Sequence, residues 1–130
     1  MKKIILGLLT LGTIGTMTLH AYSDADRIQD MQMMEMSMAK IQKGILYNNK
    51  EMVSKGVNKL KETATKVEIS KKDDMDYSAK FSKKQSDNIM KFADKVQSEM
   101  SAGHKHGATA NYTKVLNQCV SCHNKIRKWN

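Results

Sequence analysis

The sequence predicts an all-α protein, an antiparallel four-helix bundle formed by a single small domain. There is no proline among the 130 residues and glycines are few. Apolar residues recur at intervals of three and four along most of the chain, and no alternating segment is long enough for a strand. Four helices of roughly 20 residues, each about 30 Å long, would pack antiparallel with their apolar stripes facing inward.

The N-terminal segment has the pattern of a secretory signal peptide over residues 1–21, with the cut expected between residues 21 and 23. Lys2 and Lys3 precede an apolar run from Ile4 to Leu19, and small residues follow it. An uncleaved membrane anchor is the alternative, although the run is short for a bilayer and is interrupted by glycine and threonine. We therefore expect an exported, periplasmic protein in which residues 22–130 form the bundle.

The apolar periodicity and the capping residues predict where the first two helices begin and end. The first is expected to begin at Asp24 and to end at Gly44 or at the Asn48-Asn49 pair, and Asn48 with Glu51 three residues later predicts a capping box that opens the second. The predicted apolar stripe of the first helix comprises Met31, Met34, Met38, Ile41 and Ile45. That of the second comprises Val53, Val57, Leu60, Ala64 and Val67.

The third and fourth helices are separated from the second, and from each other, by polar segments. The periodicity breaks over residues 69–74, where Asp73 or Asp74 would cap a third helix that runs to Met100. Two glycines within residues 101–108 predict a loop, after which Thr109 would cap a fourth helix that runs to the chain terminus. The third stripe comprises Phe81, Ile89, Phe92, Ala93, Val96 and Met100. The fourth comprises Tyr112, Val115, Leu116, Cys119, Cys122 and Ile126.

The two cysteines of the chain lie in Cys119-Val120-Ser121-Cys122-His123, the pattern of covalent c-type haem attachment. Thiols three residues apart share one helix face and can each hold a haem vinyl group as a thioether, while His123 reaches the iron from the same side. Three other uses stay open. A thioredoxin-like dithiol is the first, although the sequence around the motif has no βαβ pattern. A structural zinc site is the second, and it would need His104 or His106 as further ligands. A structural disulfide is the third, and it would not require the histidine.

An exported four-helix bundle with this motif in its last helix resembles the cytochrome c prime family and its low-spin relatives. The resemblance extends to Arg127, which matches the family ending after Cys119, Cys122 and His123, with Ile126 in place of the usual aromatic residue. It implies one covalent haem c per chain, with His123 as the proximal ligand and Arg127 beside the haem, where it would pair with a propionate.

The resemblance also implies that the first helix faces the other side of the iron. Arg27 to Met31 is similar to the family's first-helix stretch, so Met31 is the candidate sixth ligand, with Met34 or Met38 as alternatives. A thioether ligand would give a six-coordinate, low-spin iron suited to electron transfer, whereas an empty site would favour binding of NO or CO. The protein would then carry single electrons and would not be an enzyme.

The net charge of the chain indicates the kind of partner that the protein would bind. The formal charge is +9, and it becomes +7 once Lys2 and Lys3 leave with the signal peptide. Export argues against nucleic acid, so the expected partners are redox proteins with acidic docking surfaces, steered by basic residues around the motif: Lys105, Lys114, Lys125, Arg127 and Lys128.

Two further expectations concern methionines and histidines. Met33 and Met36 fall off the first stripe, where they would lie at the surface or in a homodimer formed, as in related bundles, through the first two helices. His104 and His106 lie in the predicted loop before the last helix. Together with the Met31 to Met38 run they define a less favoured alternative, a periplasmic copper carrier, since thioether and imidazole suit copper ions.

Overall fold

The computed structural model describes residues 22–67 and 79–126, which form four helices. They are α1 (Asp24–Leu46), α2 (Lys50–Ala64), α3 (Ala79–Ala102) and α4 (Lys105–Ile126). No strand occurs in these ranges, so the prediction of an all-α four-helix bundle is confirmed. The expected signal peptide, the Asp73 or Asp74 cap and Arg127 lie outside the described residues.

Contacts between neighbouring helices establish that consecutive helices run antiparallel. Between α2 and α3 the pairs are Lys50 with the Ser101 carbonyl, Lys61 with Asp94, and Ser86 with the Ala64 carbonyl. Between α3 and α4 they are Lys125 over the Phe81 ring, Asn88 with Gln118, and His104 with Glu99. In each set one residue number rises as the other falls, and the same holds between α1 and α2, where Gly44 lies against Val53 and Gly56 against Ile41, which gives an up-down-up-down bundle.

The core lies along the predicted stripes. The most deeply buried large side chains, each at most 2% exposed, include Ile41, Val53, Leu60, Val96 and Met100. Met31, Ile45, Val67 and Phe92 are half-buried and pack against this core. Removing apolar stripes of this kind from water is the main favourable contribution to folding, so the periodicity alone predicted most of the core.

Glycines bring α1 and α2 into close contact. A Cβ atom at Gly56 would lie 2.7 Å from Ile41 Cγ1 and 3.0 Å from the Ser37 carbonyl oxygen, and one at Gly44 would lie 2.8 Å from the Val53 backbone nitrogen. Only glycine permits this separation without moving backbone. The α1–α2 seam is consequently tightly packed, and α1 is held in a defined position relative to the rest of the bundle.

Two predicted helix starts are wrong. The α2 cap is Asn49, whose side chain accepts from the Met52 amide, because Asn48 takes a left-handed conformation (φ 54°) in the turn after α1. The α4 helix begins at Lys105, not after Thr109, because a single glycine, Gly103 (φ 83°), is enough to reverse the chain.

The four seams between helices are not equally packed. The α1–α2 and α3–α4 seams are extensive, the α2–α3 seam is intermediate, and α1 and α4 touch least. None of the helices in the described ranges is long and apolar enough to cross a membrane. The α1–α4 seam is thus the place where the bundle is most open to insertion of another group.

Candidate functional site

The Cys-Val-Ser-Cys-His segment occupies the last turns of α4. Val115 is fully buried, and Tyr112, Cys119, Cys122 and His123 are half-buried on the stripe that continues from it. These positions agree with the predicted inward face. Leu116 does not, since it is 45% exposed, and the buried residues that complete this face are Ala108 and Asn111.

The inward face of α4 has one edge toward α3 and one toward α1, and the motif side chains lie nearer to the α1 edge. Gly107, Lys114, Gln118 and Lys125 contact α3 and mark one edge. At 100° per residue, Tyr112, Cys119 and His123 fall on the opposite edge, toward α1, and Cys122 falls between the two. The three motif side chains are therefore oriented to the α1–α4 seam and the adjoining core.

Burial controls the chemistry of Cys119. Desolvation, with a smaller contribution from the neighbouring Cys122, raises the pKa of the Cys119 thiol to about 11. Its Sγ donates to the Val115 carbonyl oxygen at 3.5 Å, one turn earlier. Burial also raises the pKa of Tyr112, two turns before Cys119 on the same edge. Because both groups stay neutral at physiological pH, neither adds a charge to the α4 side of the seam.

Across the seam, α1 presents its methionines. On α1, Ser37, Ile41 and Gly44 face α2, and the helical period places Met31 and Met38 on the other edge of the stripe, toward α4. The contacts between consecutive helices fix their register along the bundle axis. In that register Met31 lies at the same height as residues 119–123, whereas Met38 lies two turns, about 10 Å, further along the axis. Met31 is half-buried, whereas Met34 and Met38 are 8% and 7% exposed.

One buried polar atom at this level has no partner. Gln85 of α3 is 8% exposed, and its Oε1 is the single side-chain oxygen or nitrogen in the described ranges that is fully buried without a hydrogen bond. The pairs Asn88 with Gln118 and Phe81 with Lys125 place Gln85 opposite Ser121 and Cys122. A buried amide oxygen without a donor is costly, so Gln85 marks a place beside the motif where a water or another group with a donor would be accommodated.

Exposed apolar side chains flank the same seam. Leu116 and Val120 of α4 are 45% and 43% exposed, and Ile28 of α1 is 59% exposed. The helical period places all three just outside the edges that face each other across the seam. Large apolar side chains on both sides of an open seam are typical of a place where an apolar ligand is held.

The remaining predicted residues lie elsewhere. His104 and His106 are exposed at the other end of α4, and His104 Nδ1 lies 3.1 Å from Glu99 Oε2. They are thus far from Met31 along the bundle axis, and no three His, Cys, Asp or Glu side chains converge within the part of the chain that the structure describes. Met36 is 65% exposed, as expected, whereas Met33 is half-buried.

A separate cavity lies outside this site. It has a volume of about 410 Å³ and lies between the end of α2 and the start of α3, where Ala64, Val67, Ser86 and Met90 contribute to its lining. No residue of α1 or α4 lines it. The cavity is therefore distinct from the seam that holds the cysteine and histidine side chains.

Gln85 is the site residue that the sequence analysis missed. It follows Phe81 by four residues and precedes Ile89 by four, so its place on the third stripe was readable from the periodicity. A glutamine at an inward position is the signal that would have identified it. Comparison of the chain with protein-family models, with curated proteins and with solved structures gives no match.

Proposed function

We propose that the protein is an exported monohaem c-type cytochrome that carries single electrons. Cys119 and Cys122 would hold the haem as thioethers, and His123 would be the proximal iron ligand. The observation that carries the proposal is the position of Cys119 and His123 on the α1-facing edge of α4, with Cys122 beside them toward the core, at the seam where neighbouring helices touch least. When bound, the haem supplies the exchange of one electron between Fe(III) and Fe(II).

The residues around the motif fit such a group. Its apolar macrocycle matches the uncharged lining made by Tyr112 and Val115 and would cover Leu116, Val120 and Ile28, which otherwise expose large apolar areas. The unpartnered Gln85 amide oxygen would need a donor from a water held with the bound group, because haem itself offers acceptors but no N–H or O–H donor at physiological pH. The donor set of two thiols and an imidazole is the one that covalent haem attachment requires.

Met31 is the proposed sixth ligand. It is level with the motif, it lies on the α1 edge that faces α4, and its partial burial leaves the thioether accessible from the seam. Met34 and Met38 are more deeply committed to the core, and Met38 is displaced along the axis. These differences favour Met31 over the other two, and a filled sixth position favours electron transfer over binding of NO or CO.

The test is covalent haem retention. We would express the full chain in a host with c-type haem maturation machinery and extract the purified protein with denaturing acid. The wild type and Ser121→Ala, a matched change between the two cysteines, should keep the haem. The double variant Cys119→Ala, Cys122→Ala should release it. A wild-type chain that acquires no covalent haem would refute the proposal.

A further inference from the structure

Within the described residues, the outer face of α3 and the adjoining part of α4 carry five exposed lysines, with one exposed carboxylate, Asp87, among them. We define the lysine face as Lys80, Lys84, Lys91 and Lys95 of α3 together with Lys114 of α4; all five are exposed. The α3 lysines are spaced by four, seven and four residues, so they share one side of the helix and extend over about 22 Å.

Charge neutralisation within the protein does not extend to this face. Of the α3 carboxylates, Asp87 lies on this side of the helix, three residues after Lys84 and four before Lys91, but it pairs with Lys83, whereas Asp94 pairs with Lys61 of α2. No Asp or Glu follows Glu99, which contacts His104 at the α3–α4 turn. Within the described ranges, none of the five lysines takes part in an ion pair. By contrast, Lys55 and Lys59 of α2 and Lys66 just after it each pair with a glutamate.

The face also lacks the apolar centre of a protein-docking surface. The exposed large apolar side chains described are Ile28, Met36, Leu46, Tyr47, Leu116 and Val120, and none belongs to α3. Phe92, the nearest aromatic residue, is half-buried with Lys114 Nζ 5.8 Å from its ring centroid. Stable protein interfaces combine an apolar core with a polar rim, so a face made mainly of lysines is better suited to recognition by charge only.

We propose that the lysine face docks the protein onto an anionic lipid surface. Dispersed lysines along one side of a helix match a layer of phosphate headgroups, which requires no specific register. The face is on the α3 side of α4, whereas the cysteine and histidine side chains lean toward α1. Docking would therefore leave the α1–α4 seam open to soluble partners. The proposal rests on charge and exposure and is independent of whether haem is bound.

The experiment is sedimentation of the full chain, as purified from the expression host, with vesicles of phosphatidylglycerol and phosphatidylcholine, compared with phosphatidylcholine alone. The face variant is Lys84→Gln, Lys91→Gln, Lys95→Gln. The matched control is Lys55→Gln, Lys59→Gln, Lys66→Gln, which removes the same charge from α2 and the turn after it. Circular dichroism verifies that both variants are folded.

We expect binding to the anionic vesicles alone, weakened by salt. Binding should fall about fivefold per lysine removed, hence about a hundredfold in the face variant, and much less in the control. Equal losses in the two variants would mean that net charge alone drives binding, and would overturn the proposal. So would absence of vesicle binding while the same three lysines govern binding of a polyglutamate peptide, a result that would assign the face to an acidic protein.

Discussion

Substituting Gly56 by alanine should destabilise the bundle, even though alanine is the better helix former. The new Cβ would lie 2.7 Å from Ile41 Cγ1, 3.0 Å from the Ser37 carbonyl oxygen and 3.1 Å from the Ile41 amide nitrogen. Two of these are backbone atoms of α1 and cannot rotate away. Overpacking of this kind costs about 1–3 kcal/mol, whereas the helix propensity of alanine offsets up to ~1 kcal/mol.

Gly107 supplies the matched control. The three atoms nearest to a Cβ atom there all belong to the Glu99 side chain, with Oε2 at 2.5 Å, and that side chain is 35% exposed and can move into solvent. Gly107→Ala should therefore change the free energy of unfolding by less than ~1 kcal/mol, whereas Gly56→Ala should lower it by about 1–2 kcal/mol. Urea unfolding followed by circular dichroism, with both variants in the same haem state, gives the comparison. Equal stability of the two variants would refute the reasoning about the α1–α2 seam.

Three further predictions concern Cys119, Gln85 and the Lys61–Asp94 pair. In the haem-free chain the Cys119 thiol should be alkylated slowly at neutral pH and rapidly only as the pH approaches its pKa of about 11. Because an unfolded thiol ionises near 9.0, the free energy of unfolding of that chain should fall between about pH 9 and 11, and a flat urea-midpoint profile there would contradict the burial. Gln85→Leu should stabilise a chain with both cysteines replaced by alanine by about 1 kcal/mol, measured by urea unfolding, since it removes an unpartnered buried oxygen. A loss of stability would show that the amide has a partner. Asp94→Asn breaks an exposed ion pair with Lys61 and should alter stability by less than ~1 kcal/mol in the same assay, whereas a larger loss would assign that pair a structural role.

Helix number and core faces were predictable because they depend on local periodicity. The stripes through Ile41, Leu60 and Val96 are buried as expected. The helix ends were less predictable, since two candidate residues stood side by side at Asn48-Asn49, and Gly103 and Gly107 looked equivalent. Which asparagine caps α2 and which glycine ends α3 depends on backbone conformation and on the neighbouring helix, and neither is encoded in the local pattern.

The candidate site was predictable where it is local in sequence. The spacing of Cys119, Cys122 and His123 on one helix face follows from the helical period alone. Met31 was identified as a candidate ligand from a family resemblance. That it lies at the same height as the motif could not be predicted, because this depends on the register of all four helices. Gln85 and the exposure of Leu116 also depend on how α1, α3 and α4 pack, which is why the sequence did not single them out.

The central claim is that this bundle carries a six-coordinate haem between His123 and Met31. The most direct measurement is the optical spectrum of the oxidised and reduced haem-loaded protein, for the wild type and for Met31→Leu, with Met38→Leu as the matched control. We expect a low-spin spectrum with the weak red methionine-to-iron band in the wild type and in Met38→Leu, and loss of that band in Met31→Leu. A high-spin wild-type spectrum that shifts on addition of carbon monoxide would contradict the account and would indicate a gas-binding haem protein.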